Sequence, residues 1–166
     1  MNPTSLTYRP IGVVHSPFTN PSDTPIQAAA ARDAKGLLEI YPEFVKGLLD
    51  ISGFSHLILL CHFHRVREAR LIDTPFLDTR PHGIFATRAP ARPNPIGISV
   101  VRLIDVQGGS LHVEDLDVLD ETPLLDIKPF VPAFDHRDSV RIGWFTDKIG
   151  GLQGRTGDSR FGDGKR

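Results

Sequence analysis

Residues 98–127 read ISVVRLIDVQGGSLHVEDLDVLDETPLLDI, and this stretch decides the fold. An apolar, β-branched run at 98–106 meets Gly108-Gly109, a hairpin turn, and is answered by a second run at 111–113. Two more short apolar runs, at 116–119 and 124–127, read as strands. Short strands this closely spaced predict a small β-barrel or curled antiparallel sheet.

The upstream sequence agrees. Residues 56–65 (HLILLCHFHR) read as the most buried strand. A period of two places His56, Ile58, Leu60, His62 and His64 on one face, with Leu57, Leu59, Cys61, Phe63 and Arg65 on the other. Residues 11–14 and 37–41 are further short strands, and 83–87 a short β run. Pro42 at a first helical position, followed by Glu43 and the apolar set Phe44, Val45, Leu48 and Leu49, predicts a short helix ended by Gly53. Residues 19–34, with Pro21 and Pro25 inside them and an alanine run at 28–31, read as a loop that covers something. Pro90, Pro93 and Pro95 exclude helix and central strand from 88–97, which becomes a fixed, extended loop. Residues 1–146 are expected to form one barrel domain and 147–166 a Gly-rich tail. The fold class is therefore mainly β, with one short helix, long loops and no Rossmann unit.

Composition narrows the function. The chain has 166 residues, enough for one domain with a core of its own. Its 15 glycines and 14 prolines argue against a helical bundle. A single cysteine, Cys61, excludes intramolecular disulfides and all-cysteine zinc sites. That usage, and a start (MNPTSLTYRP) without a basic segment leading into an apolar one, make a cytoplasmic location the expectation, with no membrane partner.

The formal charge of −1 conceals a sorted pattern. Residues 79–104 carry Arg80, Arg88, Arg92 and Arg102 and no acid, whereas 105–126 carry seven acids and no Lys or Arg. Guanidinium forks suit carboxylate and phosphate, so Arg88 and Arg92 are candidates for holding an anionic substrate. The alternative is that these arginines pair with the neighbouring acids across a sheet. His62 and His64 have a spacing that can ligate zinc, but hydrogen-bonded core or pocket histidines explain it more simply, and no metal is expected. Cys61, between Leu59 and Phe63 on its face, reads as a small core residue rather than a nucleophile. Neither G-x-G-x-x-G after a strand nor G-x-x-x-x-G-K-[ST] occurs, so any nucleotide-like cofactor needs another scaffold.

Four segments carry a resemblance to a known family: IGVVHSPF (11–18), FSHL (54–57) with Phe63-His64, GIFATRAPARPNPIG (83–97) and TPLLDIKPF (122–130). In this order they resemble the successive motifs of the TrmO (TsaA-like, YaeB) family. The resemblance implies a β-barrel methyltransferase that uses S-adenosylmethionine, acts as a homodimer, and methylates the exocyclic nitrogen of threonylcarbamoyl-adenosine beside the anticodon of tRNA. It implies a cofactor site made of Pro25, Ile26, Gln27, His64, Arg65, Arg88, Ile98, Leu116, Asp117, Val118 and Leu119.

Arg88, Arg92 and Asn94 are then candidate contacts to the tRNA anticodon loop. His64, Asp117 and Asp126 are candidate bases by residue type. Two departures from the family pattern concern the acceptor. The usual Asp-Gly-Thr-Pro reads Asp120-Glu121-Thr122-Pro123 here, and the stretch between His64 and Gly83 is shorter and divergent. Two alternatives follow: a methyltransferase of the same fold acting on another adenosine derivative or small anion, and a module that binds S-adenosylmethionine without chemistry.

Overall fold

The computed structural model describes residues 5–25 and 31–149. The strands in chain order are β1 (Gly12–His15), β2 (Gly36–Ile40), β3 (His56–His62), β4 (Ile72–Asp73), β5 (His82–Gly83), β6 (Ile96–Gln107), β7 (Ser110–Glu114) and β8 (Thr122–Pro129). Six of them close into an antiparallel barrel in the order β1-β2-β7-β6-β3-β8, while β4 and β5 form a separate pair. The barrel expectation holds.

Alternation builds the interior. Leu57, Leu59 and Cys61 of β3 point inward with Val101, Leu111, Val113 and Leu124, all essentially without solvent contact. Fully burying each such aliphatic side chain is worth roughly 1.5–3 kcal/mol, so this set is the main source of stability. The β6–β7 hairpin turns at Gly108, whose φ of +59° lies in the left-handed region. Register shifts at Leu103/Asp105 and at Leu60/Cys61 bend β6 and β3, which helps so short a sheet to close.

Four local expectations are corrected. Residues 116–119 are not a strand. Leu116 and Val118 are buried, but Asp115 takes φ +64° and ends the ladder after Glu114. Residues 83–87 hold the end of β5 and a 3-10 turn, Ile84–Ala86. The helix after Pro42 is 3-10, Pro42–Leu48, and Asp50 at φ +65° separates it from a second turn, Ile51–Gly53. The histidine-bearing strand stops at His62. Phe63 N–H donates to Pro95 C=O at 2.8 Å and Val66 N–H to Phe63 C=O at 3.1 Å, so His64 and Arg65 sit in a turn instead of continuing the strand.

These details give the barrel two different ends. At one, Phe44, Val45, Leu48 and Ile51 of the 3-10 turns pack on the core beside Leu103 and Val106. At the other lie the end of β3, the start of β6, the start of β8 and the segment 115–121. The first end is plugged, so the second is where a ligand can enter.

Closure at β1 requires close backbone approach. A Cβ on Gly12 would lie 2.3 Å from Glu39 C=O and 3.1 Å from Ile40 Cα, with only backbone to yield. Gly12→Ala is expected to lower the unfolding free energy by about 1–3 kcal/mol, the usual cost of overpacking, in a chemical denaturation midpoint. An unchanged midpoint contradicts this account of closure.

Candidate functional site

The open end of the barrel and the loops above it enclose a cavity of about 560 Å³. That is within the roughly 300–1,000 Å³ of small-ligand sites. Its floor includes Phe63, Ile96, Gly97 and Ile98. Gly97 is needed there: a Cβ would come within 2.4 Å of the Phe63 ring. The covering function read into residues 19–34 is realised in part, because Pro21, Thr24 and Pro25 line the cavity. Ile26 and Gln27 lie outside the described residues.

Asp117 is the only carboxylate among the described residues lining this space, which it shares with His64, Arg65, Arg88 and Arg92. Ser99, buried on the inward face of β6, donates its hydroxyl to Asp117 Oδ1. The bond orients the carboxylate from below. It also sits near Cys61, whose thiol is pushed up to about 12 by burial first and by Asp117 second. Cys61 is therefore a neutral core residue, as the residue pattern predicted.

His64 is held below its ordinary 6.5, first by burial, then by Arg65 and His62, with Glu121 opposing. Its imidazole is accordingly neutral at pH 7. Arg65 Nε–H donates to His64 Nε2 at 3.3 Å, so in this arrangement Nε2 carries the lone pair.

The arginine-proline loop is rigid by its own bonds. Thr87 Oγ1 donates to Ile84 C=O at 2.9 Å and accepts from Ala89 N–H at 3.2 Å. Arg92 Nη1 donates to Thr87 C=O at 3.0 Å and Ala89 C=O at 3.1 Å. Arg92 thus organises the loop as well as facing the cavity. Arg102 realises the alternative reading of the basic segment: it pairs with Glu114, with Asp33 at 3.7 Å and with Asp115 at 4.0 Å.

Of the expected cofactor residues, Pro25, His64, Arg65, Arg88, Ile98, Asp117, Val118 and Leu119 come together around the cavity. Leu116 does not reach it. It is fully buried core, packed where a Cβ on Gly36 would stand 2.2 Å from its Cδ2. Two other candidates are misplaced. Asp126 lies on β8 away from the cavity, bonded to Lys128 Nζ at 2.7 Å, because it is the register partner of the outward Leu60. Asn94 is exposed and off the lining, its carbonyl accepting Ile96 N–H at 2.7 Å. Among the described residues, no three His, Cys, Asp or Glu side chains are grouped to hold a metal ion.

Sequence reading missed Ser99 and the segment around Trp144. Ser99 left a signal, a hydroxyl between Gly97 and Val101 on the inward side of an apolar strand. Ile142, Trp144, Phe145 and Ile149 all line the cavity. They left none beyond Trp144 being the sole tryptophan.

Comparison with known proteins matches residues 13–136 to the family described as tRNA-methyltransferase O N-terminal domain. A probable S-adenosyl-L-methionine-binding protein of Pyrococcus abyssi is 55% identical over 159 residues, covering 96% of this chain and 86% of that protein. The mouse tRNA (adenine(37)-N6)-methyltransferase is 30% identical over 145 residues, 83% of this chain but 34% of the mouse protein. The crystal structure of TrmO from Pseudomonas aeruginosa superposes with a TM-score of 0.71 at 38% identity, over 85% of this chain and 63% of that one. The chain thus spans less than two thirds of the solved TrmO chain and about a third of the mouse enzyme. Motif order, barrel and sequence match agree, and the chain belongs to the tRNA-methyltransferase O family.

Proposed function

We propose that the chain is an S-adenosylmethionine-dependent methyltransferase acting on the exocyclic nitrogen of threonylcarbamoyl-adenosine beside the tRNA anticodon. The observation that carries this reading is one oriented carboxylate, Asp117, set among a histidine and three arginines in a single cavity. That donor set fits the cofactor. Asp117 accepts from hydroxyl or ammonium groups, a guanidinium of Arg65 or Arg88 pairs with a carboxylate, and Ile98, Val118 and Leu119 offer apolar faces to an adenine. When bound, S-adenosylmethionine supplies a methyl group activated by a sulfonium.

The chain's own residues align the acceptor nitrogen and exclude water. That nitrogen is conjugated to a purine and a carbonyl and must lose its proton. His64, neutral at pH 7, is the proposed acceptor of that proton at Nε2. Its lone pair there is engaged by Arg65, and pairing of Arg65 with an anionic group releases it. Arg88, on the rigid loop, is the proposed contact for the threonyl carboxylate or an anticodon-loop phosphate.

A homodimer is part of the proposal. The outward side chain Val100 of β6 lies in register with Ile58 of β3, beside Leu60, and this apolar face is open, Val100 being 36% exposed. Contiguous exposed apolar faces of this kind mark interaction sites. Two chains packed here would bring two arginine-bearing mouths to one polyanionic tRNA loop.

Labelled S-adenosylmethionine incubated with tRNA bearing or lacking the threonylcarbamoyl group tests the activity. Label in the modified tRNA alone is expected, and cofactor binding with no transfer to either RNA overturns the reading. His64, held below 6.5, is in its base form at neutral pH, so kcat should fall only as pH drops below that value. The same shift makes His64 favour the folded state above 6.5 and lose that contribution as pH falls. In His64→Asn the acid limb of the kcat profile should be absent, and an identical limb in both proteins excludes His64 as the base. Sedimentation should give a species of twice 18.3 kDa that Val100→Arg converts to one of 18.3 kDa, whereas a wild-type monomer at micromolar concentration removes the dimer.

A further inference from the structure

We propose that residues 142–149 form the acceptor side of the cavity, with the outer face of Phe145, backed by Trp144, as the surface on which the planar base of the acceptor stacks. The inference rests on the methyltransferase reading above and adds a wall that lies beyond residues 13–136, the part of the chain matched to the family domain. The segment folds back onto the loop preceding the arginine-proline motif and is held there at three points. Trp144 Nε1–H donates to Ala86 C=O at 2.8 Å. The indole stacks on His82 at 4.5 Å between ring centres and 21° between planes. Lys148 Nζ lies 3.7 Å from Asp78 Oδ1.

The anchor of these ties is itself fixed. Asp78 is buried, accepts from Thr79 N–H at 2.7 Å and Arg80 N–H at 3.3 Å, and bonds His82 Nε2 at 3.2 Å. Phe145 continues the pile, 3.8 Å from Trp144 and tilted by 24°. The rings are thus ordered before any ligand arrives, which lowers the cost of binding one.

What the wall offers is surface. Ile142, Trp144, Phe145 and Ile149 border the cavity opposite no carboxylate of their own, and the indole N–H is committed to Ala86. Ile142 and Ile149 remain 41% and 45% exposed, apolar area turned to an open space. Phe76 and Leu77 add apolar lining, and Arg88 borders the same space. A slot of flat apolar walls with a guanidinium at its side suits a heterocycle carrying an anionic group. The cofactor's hydroxyls, ammonium and carboxylate need the polar groups at Asp117 and Arg65, which leaves this wall to the acceptor.

Trp144 is the only tryptophan, so its emission reports this wall alone. Wild-type protein saturated with S-adenosylhomocysteine is titrated with adenosine 5′-monophosphate and, separately, with ribose 5-phosphate. Quenching by the nucleotide and not by the sugar phosphate is expected; equal responses, or none, overturn the stacking surface. In methyl transfer, Phe145→Leu should raise KM for modified tRNA on the order of 10-fold or more while S-adenosylmethionine affinity stays within about 2-fold, and Phe145→Tyr should restore most of the loss. Equal weakening of cofactor and tRNA, or a Leu variant like wild type, refutes the assignment. If the wild type methylates no RNA, the function proposed above fails, while the emission titration still decides whether this wall takes a purine.

Discussion

Everything at the site depends on the closing of a six-stranded sheet through its shortest member. β1 has only four residues, yet it pairs with β2 on one side and with β8 on the other, Gly12 facing Ile40 and Leu124. The backbones approach so closely there that no Cβ fits on Gly12. Without this seam β2 and β8 would be open edges, exposed to pairing with other chains. With it, the starts of β6 and β8 and the end of β3 are set in one rim, and the loops that leave the rim converge.

The rim uses left-handed residues to turn the chain. Asp115 at φ +64° and Glu121 at φ +60° bracket the segment that carries Asp117, Val118 and Leu119. Glu121 stands where the family pattern has glycine, and the left-handed conformation explains that glycine: a side chain there carries backbone strain of about 1–3 kcal/mol. The turn keeps its shape all the same. Thr122 Oγ1 donates to Leu119 C=O at 2.7 Å, and Ser16 ties the first loop to Val118 C=O at 2.8 Å. The departure therefore changes charge near His64 more than geometry, since Glu121 opposes the lowering of that histidine.

Charge sorting along the chain becomes two structural roles. Arg102, at the edge of the basic segment, balances acids across the β6–β7 hairpin, whereas Arg88 and Arg92 stand on a loop that proline and internal hydrogen bonds hold open. Near neutrality overall is thus compatible with a locally cationic mouth. Guanidinium groups held on a preformed loop lose little freedom on meeting an anion, which makes a small patch more effective than its size implies.

The sequence by itself determined the barrel class, the inward face of β3, the hairpin at Gly108 and, through its motifs, the family. Through the same resemblance it implied a site at Pro25, His64, Arg65, Arg88, Ile98 and 117–119, residues that do border the cavity, although 116–119 read locally as a strand. Period-two patterns and turn residues are short-range signals, and they survive in the fold. Only the tertiary structure decided what depends on register and closure. A bulge sends Asp126 to the outer surface, a turn removes His64 from the strand face of His62, and burial leaves Leu116 beneath the cavity. Likewise Ser99 meets Asp117 eighteen residues away, and Trp144 reaches Ala86 across fifty-eight, contacts between distant segments that no local pattern encodes.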